Sequence, residues 1–537
     1  NKKILILGVN RRSFLKLIAF TTIFLSFNLV SKSNRIVRFE HGIASGDPTP
    51  EKVILWTRVS SNSDNSILVF YEISNTVDFK TIIASGKQYA DRRKDFTVKV
   101  DAKIPKKFRG QKVFYRFKAE GVYSQIGTTI TLPKDVENFK IAVFSCSNYP
   151  AGYFNAYNSA SNDESIDLAL HLGDYLYEYK QGEYATDNAI RLNRQPIPNK
   201  EIVSLSDYRL RHAQYKSDVD LQKLHSSMPV LCAWDDHEIA NDAWKHNAEN
   251  HQINEGSFSI RKRNAVKAYY EWMPVREPKI PFNNWKRYKI GKLIDLKLLE
   301  TRISSRSKQV NLNDHVSDDG NFQKDAFFKE LNNEQRSLLG NQQLDFIKEN
   351  DHDEQTWNLY AQQVLLASLK LPTIPNYIID ALPDYQSYYK TVINEDLPYN
   401  LDAWDGYPAE RKRFLNTVRS ISNKNIFIAG DTHNCWANNI YEGENFIGAE
   451  LGTPSVTSPG ASENFNGLIP NNVLENSMLM KNKNLKWTNL VDRGYLTIDF
   501  TKEIAIAEFI AIDNILSKNY KTKVLKRIEI SPDKNLT

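Results

Sequence analysis

Three patterns of apolar and polar positions follow one another along the chain. Residues 17–30 form a largely apolar run behind a basic stretch. From Arg35 to about Pro133, short apolar runs alternate with polar positions, as in Lys52-Val53-Ile54-Leu55-Trp56 and Val113-Phe114-Tyr115-Arg116-Phe117. A period of two with polar turns between predicts an antiparallel, immunoglobulin-like β-sandwich of about 100 residues. From Lys140 the runs become continuous and end in polar residues. Ile141-Ala142-Val143-Phe144 precedes Ser145-Cys146, Leu168-Ala169-Leu170-His171-Leu172 precedes Gly173-Asp174, Val230-Leu231-Cys232-Ala233-Trp234 precedes Asp235-Asp236-His237-Glu238, and Asn425-Ile426-Phe427-Ile428-Ala429 precedes Gly430-Asp431. Such runs fit strands buried on both faces. Helical patterns at residues 208–224, 261–272, 334–348 and 357–369 lie between them, which predicts a layered α/β domain. Runs at 448–451, 495–500 and 504–512 predict further strands, the last two as a hairpin. The expected division is a targeting segment at 1–33, a β-sandwich at 34–134, an α/β domain at 138–515 and a C-terminal tail at 516–537.

Composition adds little to this until charge is mapped. The 537 residues are 41% hydrophobic and 25% charged, which excludes a disordered or fibrous chain. The net charge of +6 is misleading, because six of the 70 basic residues lie in residues 1–33, which hold no acid, leaving 64 against 64 elsewhere. The body therefore has no net cationic footprint for nucleic acid, which is expected only as a possible substrate. The apolar run at 17–30 is 14 residues long, short of the roughly 20 that span a bilayer, so an export signal fits better than a permanent helix. An uncleaved anchor is the alternative. Arg11-Arg12-Ser13-Phe14-Leu15-Lys16 resembles a twin-arginine signal, which implies that export machinery as a partner and a periplasmic or extracellular location. The three cysteines, Cys146, Cys232 and Cys435, are too few for a disulfide framework.

Ligands of such sheets bind at the carboxyl ends of the strands, where all four polar clusters fall. Alone, each residue has an ordinary explanation: acids cap helices, and tyrosines and histidines pack. Together, Cys146, Asp174 with Tyr177, the Asp235–Glu238 run, and Asp431 with His433 form an inventory of metal ligands. A carboxylate can bridge two ions, and a phenolate favours a trivalent metal such as iron. Cys232 and Cys435 read as packing residues.

The order Gly173-Asp174-x-x-Tyr177, the acidic-His pair Asp236-His237 and Gly430-x-x-His433 resembles the calcineurin-like, purple-acid-phosphatase superfamily of metallophosphoesterases. More narrowly, Phe144-Ser145-Cys146-Ser147, His171-Leu172-Gly173-Asp174-Tyr175-Leu176-Tyr177-Glu178, Trp234-Asp235-Asp236-His237-Glu238 and Gly430-Asp431-Thr432-His433 resemble PhoD-type alkaline phosphatases. So do His41-Gly42-Ile43-Ala44-Ser45-Gly46-Asp47-Pro48, Trp404-Asp405-Gly406-Tyr407 and Thr453-Pro454-Ser455-Val456-Thr457-Ser458-Pro459-Gly460. The resemblance implies a four-layer αββα catalytic domain, one ferric iron and one or two calcium ions. Cys146, Asp174, Tyr177 and His433 would hold iron, while Asp174, Asp236 and Asp431 would hold calcium. His237 would be the general acid, and Arg276, or alternatively Arg302, would contact phosphate; for each arginine a structural salt bridge is equally open.

The implied activity is an exported, monomeric alkaline phosphatase that hydrolyses phosphomonoesters, and some diesters, through metal-bound hydroxide and releases inorganic phosphate. Two other readings stay open. One is a phosphodiesterase resembling phospholipase D enzymes, and the other is a non-catalytic exported metal-binding protein.

Overall fold

The computed structural model describes residues 36–349, 357–373, 377, 395–465, 469–532 and 534–536. The signal expected at 1–33 lies outside them, and among the described residues no helix is long and apolar enough to cross a membrane.

The main N-terminal strands are β1 (Ile43–Gly46), β2 (Lys52–Arg58), β3 (Ile67–Ser74), β4 (Ile82–Ala90), β5 (Thr97–Lys103), β6 (Val113–Ala119) and β7 (Gly127–Thr129). Alternation shows in β6, which buries Val113, Tyr115, Phe117 and Ala119 and half-exposes the residues between. The strands that follow are β8 (Phe139–Phe144), β9 (Leu168–His171), β10 (Val230–Cys232), β11 (Lys286–Ile290), β12 (Ile294–Leu298), β13 (Trp357–Ala361) and β14 (Asn425–Ala429). The chain ends with β15 (Cys435–Glu442), β16 (Asn445–Gly452), β17 (Leu485–Asn489), β18 (Arg493–Phe500), β19 (Ala505–Ile512) and β20 (Thr522–Ile530).

Two large sheets result, one in the order β20-β19-β18-β8-β9-β10-β1-β2-β5 and the other β11-β12-β13-β14-β16-β15-β17. Strands β8, β9 and β10 run parallel, as do β12, β13, β14 and β16. The sheets meet face to face: Ile141, Val143, Leu168 and Leu170 of one share a buried cluster with Leu296, Leu359, Ile426 and Leu451 of the other. Their opposite faces are buried too. Phe144 and Ala169 pack with the helical residues Tyr208 and Tyr269, and Tyr360 and Phe427 pack with Phe414 and Leu415. Burial on both sides is why these strands show no alternation.

The helices revise parts of the sequence reading. Residues 208–224 hold two helices, α1 (Leu205–Lys216) and α2 (Val219–Ser227), because Asp218 between them caps the second by accepting from the backbone N–H groups of Asp220 and Leu221. The helix at 261–272 is α3 (Phe258–Trp272). Only the second half of 334–348 is helical, as α4 (Asn341–Lys348), since Gly340 at φ 76° breaks the backbone before it. Residues 357–361 are strand β13, not helix, hydrogen-bonded between β12 and β14 and buried along its length. The presumed tail contains β20, the edge strand on β19, so residues 522–530 belong to the sheet. Its Lys523, Lys526 and Arg527 make that edge a poor template for a foreign strand.

The line drawn at residue 134 also does not divide the hydrogen bonding, because β1, β2 and β5 extend the large sheet, with Gly46 of β1 opposite Val230 of β10. A Cβ on Gly46 would lie 2.4 Å from the Pro274 carbonyl oxygen and 2.5 Å from that of Val230. Gly46→Val is therefore expected to cost about 1–3 kcal/mol, seen as a lower urea midpoint for the full chain. An unchanged midpoint would show that this junction is slack.

Candidate metal centre

Strands β8, β9, β10 and β14 deliver their following turns to one place. Four of the turn residues, Cys146, Asp174, Asp431 and His433, sit at φ 59°, 53°, 64° and 64°. Non-glycine residues avoid this left-handed region, and such strain persists only where surrounding contacts enforce it. Here the contacts are visible. Glu238, wholly enclosed, accepts hydrogen bonds from the backbone N–H groups of Asp174 at 3.0 Å, Tyr175 at 2.6 Å and Asp235 at 2.6 Å, so one carboxylate ties the β9 turn to the β10 turn. Gly173, at φ 110°, lets the turns approach, for a Cβ there would stand 2.4 Å from the Asp235 nitrogen.

The donors converge in a row. Asp174 Oδ2 lies 3.4 Å from Cys146 Sγ and 3.2 Å from Tyr177 Oη, and Tyr177 Oη lies 3.3 Å from His433 Nε2. Ligand atoms of Cys146, Asp174 and His433 fall within 4.8 Å of one another, as do those of Asp174, Asp236 and His237 and those of Asp235, Asp236 and Asp431. Asp174 and Asp236 are thus shared between neighbouring groups. His433 Nδ1 donates to the Pro459 carbonyl at 2.7 Å, which leaves the Nε2 lone pair facing Asp174, Cys146 and Tyr177. Burial lowers its pKa to about 3, so it stays a neutral ligand.

The electrostatics suit cations. Burial, with repulsion from neighbouring carboxylates, pushes Asp174 and Asp235 well above the carboxylate range and Asp431 up to about 6, against the pull of Arg302 on the last two. Burial and the Asp174 carboxylate raise the Cys146 thiol. The donor set therefore fits metal: thiol, phenol and imidazole at one end, hard carboxylate oxygens at the other. His237 stands beside it, its Nδ1 2.7 Å from Glu178 Oε2 and its ring 4.2 Å from that of Tyr177. Burial opposes charge on His237, but Glu178, Asp236 and Asp174 together raise its pKa well above that of a free imidazole.

The structure brings together Cys146, Asp174, Tyr177, Asp236, His237, Asp431 and His433. It treats the two arginines differently. Arg302 lies in the cluster, wholly buried, with its guanidinium bound to Asp235, to Asp402 at 2.5 Å and to Asp431 at 2.6 Å, so its donors are already committed to protein carboxylates. Arg276 is outside the cluster. Its guanidinium binds the Asp47 carbonyl and Asp101 Oδ1, because the segment leaving α3 runs along the N-terminal strands. Both arginines thus make structural ion pairs. Sequence reading gives no individual role to Glu178 or Asp402, and names Asp235 and Glu238 only within the Asp235–Glu238 run; Glu178, Asp235 and Glu238 all stand inside the quoted motifs. Ser458, which donates to Tyr177 Oη at 2.7 Å, belongs to the quoted Thr453–Gly460 stretch. Cys232 and Cys435 pack in the core.

The chain is similar to known proteins over most of its length. The sequence model of the PhoD-like phosphatase family matches residues 141–509, and that of the PhoD-like phosphatase N-terminal domain matches residues 26–133. The chain is 33% identical over 445 residues to alkaline phosphatase D of Bacillus subtilis (strain 168), covering 79% of this chain and 70% of that protein. A solved structure described as "Structure of PhoD" superposes with a TM-score of 0.78 at 28% identity, covering 93% of this chain and 91% of the other.

Because Glu238 holds two ligand-bearing turns without reaching the donor row itself, Glu238→Ala is expected to weaken metal affinity about 10–100-fold. Competition with a chelator, read by elemental analysis, measures this. Unchanged affinity in a folded variant would refute the clamp.

Proposed function

The chain belongs to the PhoD-like phosphatase family and is a phosphoric ester hydrolase, and from that premise we propose that it is an exported, metal-dependent alkaline phosphatase acting mainly on phosphomonoesters. The observation that carries the reading is the pair of ligand groups, Cys146, Asp174 and His433 at one end and Asp235, Asp236 and Asp431 at the other, joined by the closeness of Asp174 to Asp236. In this reading Cys146, Asp174, Tyr177 and His433 hold a ferric iron, and Asp174, Asp236 and Asp431, with Asp235 adjoining, hold one or two calcium ions. Bound cations would offset charge on the phosphate oxygens and acidify a water, so that a nucleophile exists at working pH.

The protein's own groups do the rest. His237 gives the proton to the leaving oxygen. Its Nδ1 is engaged by Glu178, which leaves Nε2–H as the free donor and supplies the charge that keeps the ring protonated. Arg302 offsets part of the negative charge of Asp235, Asp402 and Asp431, which lessens the repulsion an incoming phosphate meets. Export rests on Arg11-Arg12 and the short apolar run after them. The N-terminal strands and the two large sheets support an immunoglobulin-like sandwich joined to an αββα domain.

Initial rates on p-nitrophenyl phosphate and bis-p-nitrophenyl phosphate, at alkaline pH with calcium, test the proposal. The monoester is expected to be the faster substrate, and a diester preference would move the assignment to phosphodiesterase. Asp174→Asn, in a folded and metal-supplied chain, is expected to abolish turnover; full activity there would sink the reading. His237→Ala is expected to cost about 10²–10⁴-fold with metal content unchanged.

A further inference from the structure

A cleft of about 800 Å³ separates the turn before β5 from helix α3 and the segment that follows it. None of the metal-centre residues lines it. Its walls carry five cations, Arg93, Lys94, Lys99, Arg263 and Lys267, against the carboxylates Asp91, Glu271 and Glu277. Two of those carboxylates are already engaged, Asp91 by Arg93 at 3.1 Å and Glu271 by Arg209 at 2.7 Å. Among the described residues, Lys94, Lys99, Arg263 and Lys267 have no carboxylate within ion-pair distance, and Glu277 supplies the main opposite charge felt by Lys99.

Lys99 is the unusual member. Its ammonium donates to the Tyr270 carbonyl and lies 5.7 Å from the centre of the Tyr270 ring. Burial lowers its pKa to about 8, so the charged form is held at a cost that an anion in the cleft would remove. Arg263 and Lys267 lie one turn apart on α3 and point their charge at the same opening. Tyr270, Val266 and Phe282 give the remaining wall an apolar, aromatic surface. The volume is that of a small-molecule site.

We propose that this cleft is a second binding site, separate from the metal centre, for a small organic anion with an aromatic ring, such as an aryl phosphate or aryl sulfonate. Lys99 and Lys267 would take the anionic group and Tyr270 and Phe282 the ring.

Calorimetric titration of the metal-loaded full chain with 2-naphthalenesulfonate, which has no phosphoester bond, tests this without recourse to activity. One equivalent should bind, more weakly as salt rises. Lys99→Met and Lys267→Glu should each weaken binding about tenfold or more, while Asp174→Asn should bind as the unaltered chain does. Lys267 is exposed on α3, so its variant keeps the fold and stays informative even if Lys99→Met does not fold. Absence of binding, loss of binding in Asp174→Asn, or undiminished affinity in Lys267→Glu would overturn the proposal.

Discussion

Like charges crowded out of water are the constraint on which this structure turns. Asp174, Asp235, Asp236 and Asp431 are gathered at adjoining strand ends, where burial of an unpaired carboxylate costs several kcal/mol. Arg302 offsets part of that cost by touching Asp235, Asp402 and Asp431 at once, and Arg306 adds a second guanidinium on Asp402. Glu238 and Glu178 remain as further buried acids, and they are satisfied differently, one by backbone N–H groups and the other by His237 with the Asn241 and Asn250 N–H groups. The left-handed turns follow from this arrangement. Only a backbone pinned by such contacts keeps Cys146, Asp174, Asp431 and His433 where their donor atoms converge.

The two ends of the donor row are unequal in a way that bears on chemistry. The carboxylate end already contains a permanent positive charge in Arg302. At the other end His433 is held neutral and burial raises Cys146 and Tyr177, while the charged ring of His237 stands against Tyr177. A cation at that end must itself supply the field that ionises the thiol and the phenol, which a highly charged ion does better than a weakly charged one.

Much of this was legible in the sequence, for a physical reason. Parallel strands buried on both faces announce themselves as unbroken apolar runs, and the polar residues ending them mark the site, so Asp174, Asp236 and Asp431 were found without three-dimensional information. The same property hid β13, because a buried run without period reads equally as helix. Asp402 was not legible, since it reaches Arg302 across 100 positions and no local pattern records the contact. For Arg276 the sequence left a phosphate contact and a salt bridge equally open, because an arginine's role lies in where its fork points, and here it points at Asp47 and Asp101. Alternation revealed the N-terminal strands, yet it could not tell that β1, paired with β2 on one side, pairs with β10 on the other.

That last pairing gives the N-terminal part a mechanical connection to the site. Trp56 of β2 packs against Trp272 at the end of α3, with ring centroids 5.8 Å apart, and its indole N–H donates to the Glu271 carbonyl at 2.9 Å. One turn back on α3, the Tyr269 hydroxyl donates to the Cys232 carbonyl at 3.0 Å, at the end of β10 and three residues before Asp235. Helix α3 is therefore fixed on one side by the N-terminal strands and on the other by the strand that carries the acidic run. If those strands served only as an appended module, the hydrogen bonds at Trp56 and Tyr269 would have no reason to share a helix. Their sharing it means that the position of Asp235 and Asp236 is set in part by Trp56, about 180 positions earlier in the chain.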